Sequence, residues 1–188
     1  MVMKKLFLLA ALFISTAVFA SESAVKEVIR AYRTADAAMD IKALNYLTKD
    51  FTVSVLGKKI GRNDLIRVHQ NIKIMIETDN LETFMEAALR MQGATLTADQ
   101  RKQIRAMKDS DKKLSLQSGK NSLKNLIDQA ALGAKSLSFK KCVIKGNNAE
   151  AAASYLEPTS GATITATYRL VKQNGKWLIK SMKMDIKK

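Results

Sequence analysis

Two side chains in this sequence could handle a proton from apolar surroundings. Tyr32 lies on a stripe with Val25, Val28, Ile29, Ala35 and Met39, and the single histidine, His69, shares a face with Leu65, Ile72 and Ile76. A tyrosine can donate a hydrogen bond to developing charge, but with an ordinary pKa of about 10 it does not accept a proton near neutrality. Histidine titrates in the useful range, although one on an apolar helix face also serves as a hydrogen-bonded core or lid residue. The usual companions are missing: there is no serine or cysteine nucleophile motif, no metal-spaced His/Cys set and no phosphate-cradling glycine loop. No metal and no cofactor is therefore expected. Asp109-Ser110-Asp111 lacks the rest of a calcium loop and reads as a solvated connection. Cys142 has no cysteine partner for an internal disulfide and reads as a small buried thiol, the alternatives being a reactive thiol or an intermolecular bridge.

Charge offers a different kind of site. The chain carries 32 basic and 17 acidic side chains, a net charge of +15, which attracts anionic partners over long range. Arg101, Arg105, Lys108 and Lys112 recur at helical spacing with Lys102 beside them. Such a stripe is either a solvated face or a surface for anionic envelope lipid or an acidic protein. Leu96-Thr97-Ala98-Asp99-Gln100 also resembles a motif of small helical periplasmic chaperones, while Thr97 and Gln100 have the spacing of a capping box.

The elements that must position these residues begin after an export signal. Lys4 and Lys5, the apolar run Leu6 to Ile14 and the small residues before Ala20 have the order of a cleavable secretory signal peptide over residues 1–20, cut between Ala20 and Ser21. An uncleaved anchor is the alternative, but the apolar run is shorter than a bilayer span requires. The protein is expected outside the cytoplasm, periplasmic or secreted, where nucleic acid is not an expected partner. Residues 21–188 suit one domain.

Past the Tyr32 helix, Asp40 can cap a short helix carrying Ile41, Leu44 and Leu47 inward and ending near Asp50. Phe51 to Val55 alternates with period two and reads as a strand. Gly57 and Gly61 bracket a turn, and Asn63 can cap the His69 helix. Residues 77–133 are helical in pattern. One stripe comprises Leu81, Phe84, Met85 and Ala88, Gly93 is a stop, and a polar loop through Gly119 precedes a last helix around Leu123 to Ala131. From Ser136 to Ile186 the period returns to two, with breaks at Gly146-Asn147-Asn148, Pro158 to Gly161 and Asn174-Gly175, which reads as a strand meander.

This order resembles the nuclear transport factor 2-like (SnoaL-like, cystatin-like) superfamily. Ile29-Arg30-Ala31-Tyr32, Asp40 to Leu44, Asp50-Phe51-Thr52-Val53 and Gly61-Arg62 look like its opening, and Tyr168-Arg169-Leu170 with Gly175 to Ile179 look like its close. The resemblance implies an α+β cone, a curled antiparallel sheet wrapped around the N-terminal helix, here with a helical insertion over about residues 75–132. It implies a cone interior lined by Tyr32, Phe51, Val53, Val55, Ile164, Ala166 and Tyr168, with His69 nearby. Those side chains either fill the core or line a pocket for a small hydrophobic ligand. The positions where related isomerases keep their catalytic acids fall near Val55 and Ala166, neither of which can serve as one. The expectation is an exported binding module without catalysis. The alternatives are an envelope interaction protein acting through the basic insertion, or an enzyme using Tyr32 with His69. A homodimer is implied by the same resemblance.

Overall fold

The computed structural model describes residues 21–187, so the expected signal segment, with Ala20 at its cut, lies outside the described residues. Helix α1 runs over residues 21–37. A 3-10 turn follows at Ile41–Tyr46, then β1 (Leu47–Val55), β2 (Lys58–Gly61), α2 (Arg62–Glu77), α3 (Leu81–Met91), α4 (Ala98–Ala106) and α5 (Asp109–Lys135). The chain closes with β3 (Ser138–Lys145), β4 (Asn148–Leu156), β5 (Thr163–Gln173) and β6 (Lys176–Lys187).

The six strands form one curled, unclosed sheet in the order β2-β1-β6-β5-β4-β3. All neighbours are antiparallel except β1 and β6, which run parallel. One face of this sheet is dry. Ala149, Ala151 and Ala153 of β4 lie in register with Leu170, Tyr168 and Ala166 of β5, and all six are 5% exposed or less. Alternation along each strand puts these residues on the same side. The alanines keep that side low, and Val25, Ile29 and Tyr32 of α1 join the same buried cluster with Phe51, Trp177 and Ile179. The Tyr32 and Phe51 rings meet at 6.5 Å, tilted by 53°. This is the α+β arrangement that the resemblance implies, a helix cradled by a curled sheet.

Two of the three two-residue hairpins turn on a pair of left-handed residues. Leu56 and Gly57 have φ of 48° and 80°, and Asn174 and Gly175 have 49° and 78°, the primed geometry that matches strand twist. Lys58 to Gly61, expected as a turn, is instead the returning strand of the first hairpin, with Val53 opposite Ile60. Strand β1 also starts earlier than expected, at Leu47 rather than after Asp50. Leu47 pairs with Ile179 in the parallel ladder, and a register shift before Thr52 accommodates the intervening residues. Helix α2 is not capped by Asn63: it starts at Arg62, and the Gly61 N–H donates to Asp64 Oδ2 at 3.1 Å.

The largest departure is α5. Asp109-Ser110-Asp111 and Gly119, expected in a loop, belong to one helix of 27 residues. The aspartates sit in its first turn, where carboxylates suit the positive end of the helix dipole. Gly119 is a contact residue: a Cβ there would lie 2.7 Å from Phe84 Cε1. In α3 the buried stripe is Leu81, Phe84 and Ala87, while Met85 is 38% exposed. On α2, Ile76, expected on the His69 face, also points outward. The Thr97–Gln100 capping box is present, with Gln100 N donating to Thr97 Oγ1 at 3.1 Å and Thr97 N to Gln100 Oε1 at 2.9 Å. Helices α3 to α5 occupy the region of the expected insertion and close a second apolar cluster with Ile72 and Met75 of α2. Among the described residues, no helix is long and apolar enough to cross a membrane.

Candidate functional site

The side chains expected around a pocket meet on the α1 side of the sheet. Tyr32, Phe51, Val53, Ala166 and Tyr168 are buried in one cluster, and Val55 and Ile164 pack against it half-buried. Surface clefts lie elsewhere, one of about 500 Å³ beside Val28, Tyr46 and Trp177 and one of about 450 Å³ between Leu81 and Leu116.

Within that apolar interior sits a group of polar side chains, of which Arg33, Asp36 and Tyr155 were not singled out by the sequence. Arg33 of α1 is buried, and its guanidinium carbon stands 4.3 Å from the centre of the Tyr155 ring of β4, close enough for a cation–π contact. Arg33 Nη1 donates to Asp36 Oδ2 at 3.2 Å, one helical turn on. The other oxygen of Asp36, Oδ1, lies 3.4 Å from Nε2 of His69, which is 3% exposed. Of the two residues of the enzyme alternative, His69 is thus joined through Asp36 to Arg33 rather than to Tyr32.

The electrostatics follow from this packing. The Asp36 carboxylate holds the imidazolium form of His69, raising its pKa above the ordinary 6.5 against the opposing cost of burial. Burial pushes the Tyr32 and Tyr168 hydroxyls well up, so both stay protonated. The pKa of Arg33 is raised by the surrounding Tyr168, Tyr155 and Asp36, although burial alone would lower it. Tyr155 Oη donates to the Met184 sulfur at 3.4 Å. Three atoms of the group make no close hydrogen bond, Arg33 Nε, His69 Nδ1 and Tyr168 Oη, and the Met39 backbone lies beside His69 and helps raise its pKa.

The basic stripe is a different kind of feature. Arg101 Nη1 donates to Glu82 Oε1 at 3.1 Å and its Nη2 to Glu86 Oε2 at 2.6 Å. Arg105 grips Glu82 with two bonds of 2.9 Å, and Lys112 pairs with Asp109 at 3.2 Å. Glu86 also accepts the buried Leu96 N–H at 3.1 Å. Arg101 and Arg105 therefore bind α4 to α3, and Lys102 and Lys108 stand exposed beside them. Glu82, held chiefly by Arg105, is lowered to about 2. Cys142 is half-buried with its thiol pushed up, chiefly by desolvation, which opposes thiolate chemistry. Among the described residues, no three His, Cys, Asp or Glu side chains are placed to share a metal ion.

No family model matches the chain, and no curated protein matches it. Solved structures do. An NTF2-like protein of unknown function from Silicibacter pomeroyi is 12% identical, with 88% of this chain and 94% of that one covered at a TM-score of 0.44. An NTF2-like protein of unknown function from Shewanella baltica is 13% identical, with 90% and 96% covered at 0.45. A protein of unknown function from Mycobacterium tuberculosis is 12% identical, with 90% and 78% covered at 0.45. The likeness is one of fold, and the site rests on the chain's own residues.

Proposed function

We propose that this chain is an exported, non-enzymatic binding module that takes a small hydrophobic ligand on the α1 side of its curled sheet. The observation that carries the reading is an apolar interior containing buried polar groups with unused hydrogen-bonding capacity. Binding sites have this composition, apolar walls with a few polar groups that fix orientation. A core that served stability alone would gain from satisfying or removing them. Export follows from residues 1–20, and N-terminal sequencing of the protein recovered from its own envelope should begin at Ser21.

Native mass spectrometry of that material, with titration by the neutral apolar dye Nile red, tests the binding reading. A co-purifying small molecule, or dye displaced by Phe51→Trp at the interior, supports it. Protein that carries nothing and leaves the dye unbound overturns it.

A second reading is favoured by the Asp36–His69 pair. A carboxylate that orients an imidazole is an arrangement suited to a general base. In that case His69→Asn abolishes turnover while a bound small molecule is retained. The alternative of an interaction surface on the insertion draws less support, because Arg101 and Arg105 are spent on Glu82 and Glu86.

A further inference from the structure

We propose that the buried cluster centred on Arg33 is an anion-recognition site, and that the ligand of this module is a small apolar monocarboxylate. The inference rests on the binding reading above and adds the chemical class of the ligand.

Five buried side-chain polar atoms among the described residues have no hydrogen-bond partner, and three of them belong to this one cluster. They come from three elements: Arg33 Nε from α1, His69 Nδ1 from α2 and Tyr168 Oη from β5. Tyr168 is fully buried and Arg33 and His69 are more than nine-tenths buried. A guanidinium N–H and a protonated imidazole N–H can only donate, and a tyrosine hydroxyl donates readily. His69 has the Met39 backbone beside it as well as Asp36, so the clearest vacancies are at Arg33 Nε and Tyr168 Oη, and what Arg33 lacks there is an acceptor.

Charge narrows it further. The cluster contains one guanidinium, one carboxylate and one imidazole. Asp36 uses one oxygen on Arg33 and faces His69 with the other. With His69 protonated, Arg33 and His69 share the one carboxylate bonded within the cluster, Asp36, while Asp40 acts on His69 only from beyond the helix end; a ligand carboxylate would give Arg33 a direct partner of its own. The walls, Phe51, Tyr155, Ala166 and Met184, are apolar or aromatic, which suits a hydrocarbon tail or ring. The basic excess of the whole chain draws such anions toward it.

The charged and titratable groups facing the site are Tyr32, Arg33 and Asp36 of α1, Asp40 beyond its end, His69 of α2, Tyr155 of β4 with Glu157 just past that strand, and Tyr168 of β5. Only His69 titrates near neutrality. Carboxylate binding is thus coupled to retention of the His69 proton, and affinity falls as pH rises through the histidine's titration.

The test uses the full mature protein, with benzoate and octanoate as probes and benzamide and octanol as neutral counterparts, by calorimetric titration and thermal shift. The acids should bind about tenfold more tightly than the neutral compounds, as expected for charge-assisted hydrogen bonds. Tyr168→Phe separates this role from a structural one. It removes a hydroxyl without a partner, so the ligand-free melting temperature should hold or rise while benzoate affinity drops about tenfold. Benzoate affinity in the parent protein should also weaken as pH is raised. Equal binding of acid and neutral probes, or a Tyr168→Phe variant with parental benzoate affinity, overturns the anion site while leaving the module intact. Failure of acids, neutral compounds and Nile red alike overturns both.

Discussion

The chain builds two cores by different means. The sheet core joins residues far apart in sequence, with Leu47 against Ile179 and Ala153 against Ala166, and seals Val25, Ile29, Ala151, Tyr168 and Ile179 from water completely. The insertion core comes largely from neighbouring helices, its buried side chains keep between 2% and 9% exposure, and arginine–glutamate pairs fasten its rim. The first core places polar atoms inside without partners, and the second places its polar groups at the edge with partners. Unused hydrogen bonding is therefore concentrated in the better-sealed half, and the proposal of a bound ligand rests on that difference.

The comparison can be broken most severely at Phe51. Phe51→Ala should cost about 3–5 kcal/mol, as for truncation of a buried aromatic, and urea unfolding should show both halves losing structure together. An insertion that stays folded would contradict a shared dependence on the sheet. Gly119→Leu is aimed at the other half. Its side chain would collide with Phe84, so overpacking should cost about 1–3 kcal/mol. Hydrogen exchange should accelerate in residues 81–135 and stay slow in β4 to β6.

Acid sharpens the contrast. Glu82 and Glu86 have lowered pKa values, Glu82 through Arg105 and Arg101 and Glu86 first through the Leu96 N–H. Their stabilisation is complete above the ordinary value of 4.5 and is lost as pH falls through the lowered values, about 2 in the case of Glu82. Pepsin should accordingly cut within 81–135 before it cuts the sheet, and Glu82→Gln should weaken that acid dependence.

The smallest effect belongs to His69, whose shift has the opposite sign. Its raised pKa contributes stability that is fully present below 6.5 and is lost as pH rises through the folded-state value. The urea midpoint of the ligand-free protein should decline slightly across that interval, and His69→Gln should flatten the decline.

Much of the sheet half was legible in the residue pattern. Alternation in Thr163 to Leu170 and the Asn174-Gly175 pair identify β5, its turn and the dry face without further help. The insertion was harder to read, because Gly119 signals a break on its own and only the Phe84 ring across the interface shows why a helix would keep it. Of the candidate site, Tyr32, His69 and Tyr168 were visible as polar groups on apolar stripes. Arg33, Asp36 and Tyr155 were not. The available signal was the three-residue spacing of Arg33 and Asp36 next to Tyr32, which puts opposite charges on one side of a helix whose neighbouring face is buried. Which of those charges is covered depends on β4 and β5, more than a hundred residues away, and local spacing carries no trace of that.

The position of β6 in the sheet has a consequence for how the sheet assembles. Among the described strands, β6 lies between β1 and β5 and joins the β2-β1 pair to the β5-β4-β3 ladder. Until β6 docks, those two groups of strands share no ladder. The parallel pairing of β1 with β6, which spans more than a hundred residues of chain, is therefore the slow, late step in closing the sheet.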